Sequence, residues 1–165
     1  MKRLSLLLIF FLVSCSLITQ TRTYFVITSH SISIEEHKGF SEGKYALTCD
    51  NVQRLITYVH RTGGPLNYGQ INMTQFLNLF DIKTSLGEKS IPIKVTYIDT
   101  LTGKDHVFEC TSKPPLYGAA SKSLTWYISP ITPDEQLPLG TFDAGTVLVT
   151  LMVDRDSYLF SKQLH

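Results

Sequence analysis

The 165-residue chain has no excess of one charge, with fifteen Lys and Arg against fourteen Asp and Glu. No basic stripe appears, which excludes nucleic acid as a partner. Catalytic signatures are missing too. There is no Gly-x-Ser-x-Gly elbow and no phosphate-cradling Gly-Lys-Ser/Thr loop. His30, His37, His60, His106 and His165 are scattered, without the HxH or HExxH spacing that a metal or a base would need. Glu35-Glu36 and Asp134-Glu135 are adjacent carboxylates, whereas acid–base chemistry needs two that converge across a pocket. These absences predict a chain that is not an enzyme and takes no cofactor.

Long apolar runs are also lacking after the first twenty residues, so nothing later reads as a membrane-spanning helix. The start is different. Lys2 and Arg3 precede an apolar stretch over residues 4–13, followed by Ser14 and Ser16. That stretch is too short to span a bilayer and reads as a secretory signal over 1–21, cleaved between 14 and 21. Its removal takes two basic residues and leaves a mature net charge of about −1.

Cysteine is scarce, with three residues. Leu12-Val13-Ser14-Cys15 resembles a bacterial lipobox, in which Cys15 would be acylated and tether the chain to a membrane; the other reading makes Cys15 an incidental signal residue. Cys49 and Cys110 remain as an even pair in an exported chain and are read as a disulfide, with two buried thiols as the alternative. Such a loop closure would stabilise the fold by roughly 4 kcal/mol. A metal site would need further ligands at set spacing.

What is present is strand-forming sequence. Thr, Val, Ile, Tyr and Phe occur in short runs bounded by Gly, Pro, Asp and Asn, which predicts an all-β domain. Strands are expected over 23–34, with Tyr24, Val26, Ile32 and Ile34 on one face, and over 45–49 and 54–60 on either side of Asp50-Asn51. Residues 91–98 and 106–111 flank DTLTGKD as a hairpin with Gly103 at a positive φ. Two more strands, 123–129 and 145–153, follow. Residues 71–82 fit a helix or a strand equally well. Trp126 reads most simply as core, with a sugar-stacking platform as the sharper alternative. Asn72-Met73-Thr74 matches a glycosylation acceptor, a common chance pattern. About seven strands at this spacing suggest a β-sandwich over 37–165, preceded by an N-terminal extension over 22–36.

The last predicted strand is apolar on both faces, Val147, Val149, Leu151 and Val153 alternating with Leu148, Thr150 and Met152. It is therefore expected to be covered on both sides. The stretch before it, Leu137-Pro138-Leu139-Gly140-Thr141-Phe142, resembles the Leu-Pro-Ala-Gly-Thr-Tyr turn ahead of the final strand in bacterial chaperone–usher fimbrial subunits. IPIKVTYIDTLTGKDHVFECT and SLTWYISPITPDEQLPLGTF extend the likeness over about residues 91–153. The resemblance implies an immunoglobulin-like sandwich lacking its seventh strand, completed by a donor strand from a neighbouring subunit. It also implies a periplasmic chaperone, an outer-membrane usher and other fimbrial subunits as partners, a host surface receptor as a further one, and a place on a cell-surface fimbrium.

On that reading Val147, Val149, Leu151 and Val153 line the groove, and Tyr24, Val26, Ile32 and Ile34 belong to the donor. The chain departs from the family by continuing as DRDSYLFSKQLH, where Tyr158, Leu159 and Phe160 offer a strand that could fill the groove from within. A tether at Cys15 would instead point to an outer-membrane lipoprotein with a closed binding domain.

Overall fold

The computed structural model describes residues 21–38, 43–61, 66–80, 90–99, 101–132 and 134–153. Cys15, the signal and Tyr158–Phe160 lie outside the described residues. Within them the chain is all-β. The strands are β1 (Thr21–Glu36), β2 (Tyr45–Asp50), β3 (Leu55–Arg61), β4 (Asn67–Asn72), β5 (Ile91–Ile98), β6 (Asp105–Ser112), β7 (Leu116–Gly118), β8 (Ser123–Pro130) and β9 (Gly140–Val153). A six-residue helix, α1 (Met73–Asn78), follows β4.

All pairings are antiparallel, in the order β2-β8-β6-β5-β9-β1-β3-β4, with β7 on β8. A further pairing of β1 with β2 joins the ends of the first six strands, so the sheet closes into a barrel. Closure removes the free edges that an open sheet would expose. The β3–β4 pair hangs from β1 outside this ring.

Strand alternation fills the barrel. Ile91, Ile93, Val95 and Tyr97 of β5 point inward, as do Leu124, Trp126 and Ile128 of β8 and Val147 and Val149 of β9. Trp126 is a core residue, edge-on to Phe76 and Phe80. The predicted hairpin forms. The Asp99 carboxylate accepts from the Leu101 N–H and the Thr102 hydroxyl, and Gly103 has φ +65°.

The undecided stretch after residue 70 divides in two. Its first residues complete β4, and Asn72 then caps α1 through a reciprocal pair with Gln75. That capping box starts a helix where periodicity alone could not choose. The helix seats Met73 and Phe76 on the core, and Phe76 meets Phe25 edge-on at 5.4 Å.

One strand behaves unlike the others. β1 buries Thr23, Phe25 and Ile27, then Ile32 and Ile34, so its inward face changes from odd to even positions across Thr28–Ser31. This corrects the expectation that Tyr24 and Val26 share a face with Ile32 and Ile34. Tyr24 and Val26 are half-buried on the opposite face, because Ser29-His30-Ser31 breaks the alternation. Along one edge β1 pairs first with β3 (Arg22–Val26) and then with β2 (Ser31–Glu36). The break in alternation falls where one partner hands over to the other.

The cysteines also differ from the disulfide expected of them. Cys49 and Cys110 are free thiols, both buried. Register explains why. Cys49 lies opposite Leu124 and Cys110 opposite Pro130, at the two ends of β8. The path between them runs six residues along β8, about 20 Å of sheet, and crosses from one side of that strand to the other, whereas a disulfide needs Cα atoms within ~7 Å.

Candidate functional site

The strand singled out in the sequence, β9, has two neighbours. On one edge is β5, with Val95 opposite Val147 and Ile93 opposite Val149. On the other is β1, the segment proposed as a donor. Thirteen residue pairs run from Thr21↔Val153 to Ile34↔Gly140. The two segments that sequence reasoning assigned to donor and groove are thus adjacent in one molecule. The strand begins at Gly140, five residues before the predicted start, and Gly140 at φ +131° needs the freedom of a residue without Cβ. Leu137 anchors the turn in the core.

The inner face of this seam is apolar and closed. Phe25, Ile27, Ile32 and Ile34 from β1 share one core with Val147 and Val149 from β9, each at most 1% exposed. Burying the four β1 side chains contributes roughly 6–12 kcal/mol in gross terms before the cost of ordering the strand. The outer face, with Tyr24, Val26, Leu148 and Thr150, is half-buried. Leu151 and Val153 lie within β9, opposite Thr23 and Thr21. At the N-terminal end Thr23 Oγ1 and His60 Nδ1 are 2.7 Å apart, and burial lowers the His60 pKa, favouring the neutral ring.

The middle of the seam is irregular on both strands. Ala144 has φ +42°, and the register with β5 shifts by one residue after Tyr97. This is a bulge, which adds twist and bends the strand where the barrel turns. Ser29 Oγ donates to the Gly145 carbonyl at 3.4 Å, and Ser31 Oγ donates to Asp50 at 3.5 Å. Ser29 and Ser31 therefore have hydrogen-bond acceptors at the bend. Beyond it Phe142 lies 4.2 Å from Tyr97, which stacks on His106.

Gly145 has no room for a side chain. It is buried, and a Cβ there would overlap Ile32 Cδ1 and Cγ1 and lie 3.4 Å from Ile32 Cβ. Sequence reasoning missed this contact, because Gly145 faces Ser29 in the register and Ile32 faces Phe142.

Above the bend is an open cleft of about 470 Å³, lined by His30, Asn51, Gln53, Arg54 and Lys122 among others. Its lining is polar and holds basic groups but no carboxylate. Among the described residues no group of three His, Cys, Asp or Glu is arranged to hold a metal ion. Burial pushes the Cys49 and Cys110 thiols up to about 12, with a nearby carboxylate adding to each (Asp50 and Glu135), so neither is a nucleophile at neutral pH. Comparison with known protein families, with curated proteins and with solved structures finds no match to this chain.

Proposed function

We propose that the chain is a fimbrial subunit that polymerises by exchange of its N-terminal strand, with a structural or adhesive role in bacterial attachment. The observation that carries this reading is the thirteen-pair seam between β1 and β9. β1 is the first described strand and is tied to the rest of the fold through its connection to β2. It can leave its own β9 and lie on that of a neighbour, with every contact reproduced in trans.

Withdrawal of β1 would open the ring. β9 would then have an unpaired edge beside the bare side chains of Val147 and Val149, an exposed apolar groove of the kind that the immunoglobulin-like sandwich of a fimbrial subunit offers to a donor strand. Such an edge aggregates unless it is covered, which gives a periplasmic chaperone its task before an outer-membrane usher receives the subunit. Because exchanged and unexchanged contacts are the same, the drive to polymerise comes from how the chaperone holds the open form.

A second reading has its own support. The ring is already closed within one chain, as a self-contained binding domain would be, and acylation of Cys15 would make that domain an outer-membrane lipoprotein. An unboiled denaturing gel separates the two. The full chain should give a ladder of multimers that collapses when residues 24–34 are deleted. A monomer in both lanes, with palmitate incorporated at Cys15, supports the lipoprotein instead.

A further inference from the structure

We infer that Ile32 and Gly145 form the lock that sets the register of the β1–β9 seam and thereby selects the strand it accepts, a second copy of β1 in the fibre. The part concerning the fibre rests on the strand-exchange reading; the lock itself stands on geometry.

The φ of Gly145 lies outside the left-handed region, so the backbone does not call for glycine there. Space does. Ile32 is fully buried, and its Cγ1 and Cδ1 occupy the volume that a side chain at 145 would take. The contact depends on two irregularities together. The change of face across Thr28–Ser31 turns Ile32 inward, and the bulge at Ala144 brings Gly145 beneath it.

A slip of one residue would bring Ser31 or Ser33 to the hole and turn the apolar set outward. A slip of two would present His30 or Ile34 and carry the break in β1 away from the bulge in β9. The seat therefore takes a strand with a branched aliphatic residue just past a polar break. Gly69, beneath the Tyr58 ring, is a similar hole, but it locks β4 to β3 rather than the seam.

A double-mutant cycle tests the lock in the full chain. Gly145→Ala adds the smallest possible bump and should lower Tm by about 5 °C through overpacking. Ile32→Ala removes Cγ1 and Cδ1 and leaves Cβ at an ordinary 3.4 Å from the new methyl. In that background Gly145→Ala should cost nothing or recover part of the loss. Equal losses in the two backgrounds would overturn the lock.

The fibre is tested separately, with full chains that carry one added cysteine each, at the paired positions Thr28 and Thr146, in a background of Cys49→Ala and Cys110→Ala. A disulfide between Thr28→Cys in one chain and Thr146→Cys in another reports β1 of the first on β9 of the second. A chain combining Gly145→Ala with Thr146→Cys should cross-link to an Ile32→Ala donor about tenfold more than to an Ile32 donor. Equal yields would overturn selection by the lock. No cross-link even between chains with Ile32 and Gly145 intact, while the cycle still shows coupling, would keep the lock within one molecule and overturn its role in the fibre together with strand exchange.

Discussion

The two halves of β1 share one neighbour and differ in the other. Both lie on β9, but the first half carries β3 and the second carries β2. The first half therefore holds a flap to the barrel: Phe25 touches Tyr58 of β3 and Phe76 of α1. The second half closes the ring, with Ile32 opposite Cys49 and Ile34 opposite Leu47. What separates the roles is three residues, Ser29-His30-Ser31, that reverse the inward face. A strand of unbroken alternation would present one buried face along its whole length and could not serve both partners.

The largest effect should come from a charge placed on β9, the neighbour that both halves share. Val149→Asp would put a carboxylate into the fully buried position between Phe25 and Ile93. An unpaired buried charge costs several kcal/mol, enough to consume most of a domain's stability. The cooperative thermal transition should disappear, and a variant that melts like the parent would show the seam to be loosely packed.

Next come truncations that should separate the halves. Phe25→Ala should cost about 3–5 kcal/mol and Ile34→Ala about 2–5 kcal/mol in denaturant unfolding. Hydrogen exchange distinguishes them better. Phe25→Ala should speed exchange in β3, β4 and α1, whereas Ile34→Ala should leave those amides protected and expose β2. If both variants loosen the same elements, the division of β1 into two roles is wrong.

The smallest effect is on pH dependence. Cys49 of β2 lies opposite Ile32 in the ring-closing half and Cys110 lies on β6, away from β1, so one serves as a control for the other. Both thiols have folded pKa values raised from 9.0 to about 12. The unfolded chain thus loses these protons first as pH rises. Their contribution is complete below pH 9 and is lost between pH 9 and about 12. Each of Cys49→Ala and Cys110→Ala should flatten part of that decline. At pH 8 alkylation should reach Cys49 and Cys110 only after unfolding; if they stay unreactive in the unfolded, unreduced chain, they are joined in a disulfide after all.

Much of this was legible in the residues. The runs at 45–49, 54–60, 91–98 and 123–129 lie within one residue of β2, β3, β5 and β8, because β-branched and aromatic runs bounded by turn residues carry their own local signal. The Asn72/Gln75 capping box was written in the chain, yet the apolar positions around it suited either structure. The adjacency of the donor and groove segments was not legible, and neither was the distance between the thiols. Each is a matter of which strands pair, and in what register, between residues more than sixty positions apart.

The sequence by itself determined that the chain is all-β, where most strands begin and end, and that its last strand is apolar on both faces. These properties depend on neighbours a few residues away, whose propensities and spacing act locally. Only the tertiary structure decided that β1 covers β9 within one chain, that β1 reverses its face midway, and that Gly145 is a hole for Ile32. Those outcomes arise from closing a ring, in which one strand must satisfy three partners at once, and no local pattern encodes a contact that exists only when the ring is shut.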